Sequence, residues 1–111
     1  MEKLILNKEE IFNCLKRPLE EFYDIELDDL ILGEYFDRRA VFLIYYIMYR
    51  GERQKTILPL SISDFLAIAK TAIESRKRLV GTNVVILPGD ELKCRVNYRL
   101  TDFSYARRRK R

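Results

Sequence analysis

At 111 residues and 48% hydrophobic, the chain is long enough for one compact domain and too apolar to be a disordered one. The formal net charge of +4 hides an asymmetry: residues 1–37 carry four basic and eleven acidic side chains, and residues 38–111 carry seventeen and six. That split excludes an evenly charged surface and points to a basic working face for a polyanion.

The first element read along the chain is a helix. Asn7 followed by Glu10 has the spacing of a capping box, and Ile11, Phe12 and Leu15 give a helical stripe, so a helix is expected over about residues 8–17. Pro18 either ends it or opens a further turn through Phe22. "DIELDDLIL" is compatible with a short helix or an extended segment, broken by Gly33. Asp37 is placed to cap a second helix over residues 38–49. That helix is apolar nearly all round (Val41, Phe42, Leu43, Ile44, Ile47, Met48) and therefore expected to be central and buried. Gly51 stops it, "GERQKT" reads as a loop, and "ILPL" as a short extended piece because Pro59 disfavours helix at Leu58.

Ser61 or Ser63 caps the next helical region. Phe65, Leu66, Ala69, Ala72, Ile73, Leu79 and Val80 form its inward stripe. Whether residues 61–80 make one helix or two stays open, because "AIAKT" holds no turn residue. "VVIL" is a β-branched strand, "PGDE" is turn chemistry, and "KCRVNYRL" alternates. Cys94, Val96, Tyr98 and Leu100 fall on one face, and Arg95, Asn97, Arg99 and Thr101 on the other.

This order of elements resembles a winged helix-turn-helix. The likeness rests on "RRAVFLIYYIMYR", "LSISDFLAIAKTAIESRKRLV" and the wing-like "VVILPGDELKCRVNYRL". "KTAIESRKRLVGTNVVIL" is similar to the recognition helix and first wing strand of plasmid and phage replication proteins, with Ala72, Ser75, Arg76, Leu79 and Val80 at the corresponding places. A looser similarity is to small single-stranded DNA-binding proteins of mobile elements such as staphylococcal cassette chromosomes. The resemblance implies an α+β fold: a winged helix-turn-helix with an extra N-terminal helix and a C-terminal β-hairpin wing. It divides the chain into one domain over residues 1–106, with an acidic helical part (1–37) and a winged-helix core (38–103), followed by a basic tail (107–111).

The expected activity is DNA binding without catalysis, since no histidine, Gly-rich phosphate loop or nucleophile motif is present. Phosphate contacts are assigned to Lys70, Arg76, Lys77, Arg78, Lys93, Arg95, Arg99, Arg107, Arg108 and Arg109, and base stacking to Phe103 and Tyr105. The absent turn weakens base-edge reading by the helix, so single-stranded DNA in mobile-element replication or transfer is preferred. The alternatives are a duplex-binding regulator and a protein-interaction adaptor. Replication proteins are the partners expected for the acidic N-terminal part.

Two isolated cysteines without histidine do not make a usual zinc site, so no metal or other cofactor is expected. Cys14 and Cys94 are expected to be buried or half-buried thiols. The longest apolar run, residues 40–48, is too short to span a membrane, and "MEKLILNKEE" lacks a secretory pattern. A soluble cytoplasmic protein without a membrane partner is the expectation.

Overall fold

The computed structural model describes residues 2–100. The order is β1 (Glu2–Leu6), α1 (Lys8–Tyr23), β2 (Glu26–Tyr35), β3 (Arg38–Tyr49), β4 (Glu52–Ser61), α2 (Ile62–Lys77), β5 (Leu79–Ile86) and β6 (Cys94–Leu100). The strands form two antiparallel three-stranded sheets, β1-β6-β5 and β2-β3-β4.

This overturns the winged helix-turn-helix. That fold needs a helical core, and here two helices serve two sheets. The expected central helix over residues 38–49 is β3, the middle strand of the second sheet. An apolar run buried on both faces suits a central strand as well as a buried helix, so periodicity cannot separate them. The residues decide it: Val41, Phe42, Ile44, Tyr45, Tyr46, Ile47 and Tyr49 are β-branched or aromatic and pack well on a pleated surface. Two-residue turns close both ends. Phe36 and Asp37 lie at φ 50° and 62°, and Arg50 and Gly51 at 51° and 79°. Successive left-handed residues give the turn whose twist matches the flanking strands. The acidic N-terminal part is likewise not wholly helical, since "ELDDLILGEY" is β2, with a bulge between Leu27 and Asp29. "ERQKT" belongs to β4 rather than to a loop.

The helix signals survive. Asn7 caps α1 with the reciprocal box: its side chain accepts from the Glu10 amide at 2.9 Å, and the Glu10 carboxylate accepts from the Asn7 amide at 3.2 Å. α1 runs through Pro18 to Tyr23. Ser61 caps α2 by accepting from the Asp64 amide. Residues 62–77 form one continuous helix. It ends at Arg78, which takes the left-handed conformation at φ 55°. Leu79 and Val80 are therefore strand residues and not part of a helical stripe. Leu79 is buried, and Val80 is exposed.

One apolar core joins the layers. Ile11, Cys14, Leu15 and Leu19 from α1 meet Phe65, Ala69, Ala72 and Ile73 from α2. They lie over Leu27, Leu30, Val41 and Leu43 of one sheet and Leu6, Val84, Cys94 and Val96 of the other. The expected β5–β6 hairpin exists, with Cys94 and Val96 fully buried. It is not a free wing, because β6 also pairs with β1. β1 escaped the sequence reading.

Candidate functional site

Because β6 is central, its outward residues form the middle of a sheet face. Register places Val85, Arg95 and Ile5 in one row across the three strands, and Asn83, Asn97 and Lys3 in the next. Arg99 pairs with Val80 beyond them. The opposite face holds Leu4, Leu6, Val84, Cys94 and Val96, which belong to or pack on the core. The outward face is therefore the one no helix covers. Among the described residues, none of its outward register positions is a carboxylate.

Arg99 is exposed, and its guanidinium lies flat on Gly81: a Cβ at residue 81 would stand 3.0 Å from Nε. Gly81 also has φ +59°, so this position favours glycine twice over. Arg95 is half-buried, and its Nε is shut from solvent with no hydrogen-bond partner among the described residues. A buried donor left unpaired is costly, and an anion on this face would relieve that cost.

The remaining expected residues are spread out. Arg76 and Lys77 occupy the last turn of α2 and Arg78 its cap, directly before β5 and so at the Arg99 end of the sheet. Lys93 stands before β6 at the other end, where its carbonyl accepts from the Leu87 amide; it is about 20 Å from Arg99 at ~3.3 Å per residue. Lys70 is exposed on α2, about 10 Å along the axis from Lys77. Phe103, Tyr105, Arg107, Arg108 and Arg109 lie outside the described residues. The structure thus sets Arg95 and Arg99 along β6 with Arg76, Lys77 and Arg78 at the Arg99 end, leaves Lys93 just before the strand at the Arg95 end, and sets Lys70 apart.

Sequence reasoning missed Lys3, Asn83, Arg38 and Arg39. Lys3 was legible in principle, since "KLIL" has the alternation of a strand. Arg38 and Arg39 were placed in a helix.

Charge elsewhere is spent internally. Lys8 pairs with Asp29 at 2.9 Å, Lys16 with Glu20 at 2.8 Å, Arg17 with Glu21 at 2.9 Å, Arg53 with Glu26 at 2.6 Å and Lys55 with Asp28 at 3.6 Å. Much of the acidic N-terminal segment thus faces its own chain. Among the described residues, none of these pairs uses the sheet-face or α2-end cations.

The thiols offer no nucleophile. Burial pushes Cys94 up to about 11. Burial also raises Cys14, against the opposing fields of Lys77 and Arg76. Among the described residues no group of three His, Cys, Asp or Glu side chains is placed to hold a metal ion. Between α1 and α2 runs an open hollow of about 460 Å³, walled by Leu19, Phe22, Ala67, Thr71 and Ser75, with no charged lining residue. No described helix is long and apolar enough to cross a membrane.

No protein-family model, curated protein or solved structure matches the chain.

Proposed function

We propose that the chain binds single-stranded DNA through the uncovered face of its β1-β6-β5 sheet. The observation that carries this reading is the outward face shared by Lys3, Arg95 and Arg99 with Asn83 and Asn97, over three successive register rows, without a carboxylate at any outward register position of the described strands. Outward positions along β6 recur about every 7 Å, so Arg95 and Arg99 stand about 13 Å apart with Asn97 between them and Lys3 beside it, a spacing suited to an extended strand laid along β6. Arg76, Lys77 and Arg78 prolong the track at one end.

A duplex reader is less well supported. α2 is seated in the core by Phe65, Ala69, Ala72 and Ile73. Its exposed residues in the first two turns are Ser63, Asp64 and Ala67, and its exposed cations, Lys70, Arg76 and Lys77, lie in its second half. A recognition helix reads base edges with its N-terminal residues, and that end of α2 carries no exposed cation. A place in mobile-element replication rested on the winged-helix resemblance, and nothing in the two-sheet fold bears on it.

Fluorescence anisotropy with a labelled single strand and its matched duplex, at equal salt, tests the reading. Tighter single-strand binding is expected. Tighter duplex binding, or no binding to either at 50 mM salt, sinks it.

A further inference from the structure

The turn between β2 and β3 has the wrong residue for its backbone. Both central positions are left-handed, at φ 50° and 62°. Asparagine and glycine are the residues that suit such positions, whereas a bulky side chain there is a conformational outlier. The first position is Phe36, and its ring is 83% exposed. Burial therefore does not repay the backbone strain. The ring meets Tyr35 edge-on at 4.5 Å, and Tyr35 in turn meets Phe42 at 6.3 Å. The result is an aromatic pair braced from below and open above.

Cations stand beside it. Arg38 and Arg39 follow the turn, and Arg39 donates to the Gly89 carbonyl at 3.2 Å. Gly89 belongs to the β5–β6 connection, which leads through Lys93 to Arg95. The aromatic tip is thus tied to the Lys93 end of the basic sheet. Tyr35, Phe36, Arg38 and Arg39 line one side of a hollow of about 550 Å³, with Ser61 and Ser63 at the start of α2 opposite. Hollows of this size hold small organic ligands.

We propose that this hollow takes one nucleotide of the bound strand, its base stacked on the Phe36 ring that Tyr35 braces edge-on, and its phosphate on Arg38. The inference rests on the single-strand reading above and adds a stacking site to it. Strained left-handed positions cluster at ligand sites, so an exposed outlier that burial does not repay points to a use for its ring. The outward sheet face has no ring of its own among the described residues, so stacking has to come from its border.

The test uses Phe36→Asn, which suits the turn better than the native residue. Stacking on one ring is worth about tenfold in affinity. The variant is expected to lose about that factor for a 15-nucleotide strand while its melting temperature stays level or rises. An abasic strand of the same length is expected to bind wild type and variant equally. Phe36→Tyr, which keeps a ring, should keep the affinity. If Phe36→Asn lowers the melting temperature, Phe36→Gly, also favoured at this position, carries the same comparison. Equal binding of the intact strand by wild type and the turn-compatible variant overturns the stacking site and leaves the sheet face standing. Failure of the wild type to bind any strand overturns both.

Discussion

Arg95 separates a ligand site from ordinary surface charge, because binding and stability should move in opposite directions when it is changed. The perturbation is Arg95→Leu, combined with Arg99→Gln. Six cations border the track: Lys3, Arg76, Lys77, Arg78, Arg95 and Arg99. At about 0.7 units of log–log salt slope per phosphate contact on a single strand, six contacts give a slope near −4, and affinity falls about 300-fold between 50 and 200 mM salt. Removing two brings the slope to about −3 and the loss to about 50-fold. Arg95 carries a buried Nε without a partner among the described residues, and exchanging such a group for an apolar one of similar length is neutral to stabilising, by about 1 kcal/mol. That is about 4–8 °C in melting temperature for a small domain. The assays are anisotropy titrations at four salt concentrations and thermal unfolding of each variant. An unchanged slope would remove β6 from the site. A melting temperature lowered by more than a few degrees would show that Arg95 holds the sheet together instead.

Two other expectations concern titration and reactivity. The Glu20 carboxyl is held below its ordinary range, first by the hydrogen bond from Lys16, with the Leu27 amide also donating to it at 2.8 Å. A lowered folded-state value means that its stabilisation is present above the usual glutamate range and lost as pH falls through the folded value. Urea unfolding from pH 7 to pH 3 should therefore show a steeper acid loss in wild type than in Glu20→Gln, and parallel curves would contradict this. Cys14 and Cys94 are buried, and burial raises both thiols, so both should resist iodoacetamide at pH 8 in the folded protein and react on unfolding. Prompt labelling of Cys94 in the native state would mean that β6 opens locally.

What was legible in the sequence had a chemical signature of its own. Asn7 with Glu10 and Ser61 with Asp64 specify helix starts through side-chain geometry alone, and both formed. The β5–β6 hairpin followed from the alternation around Cys94 and Val96, and with it the outward placement of Arg95 and Arg99. Residues 38–49 were misread because an apolar run carries no face to count. Their neighbours held the answer: Arg50 with Gly51 is a two-residue hairpin turn, read instead as a helix stop. Phe36 and Asp37 gave no such hint, since the turn they form disfavours the first of them. The candidate site was half legible. The cations of β6 and the α2 end were expected, but Lys3 needed a strand that pairs with a partner far along the chain.

That distant pairing imposes an order on assembly. Strands β2, β3 and β4 are joined by two-residue turns, so each finds its neighbour as soon as it exists. β1 has no such neighbour. Leu6 pairs with Cys94 and Glu2 with Tyr98, roughly ninety residues later, and at ribosomal rates of about 5–20 residues per second β1 waits on the order of ten seconds for its partner. Until then Leu4 and Leu6 are an unpaired apolar segment of the nascent chain, and the basic face does not yet exist. The basic sheet face is completed only after both helices and the whole β2-β3-β4 sheet have been made.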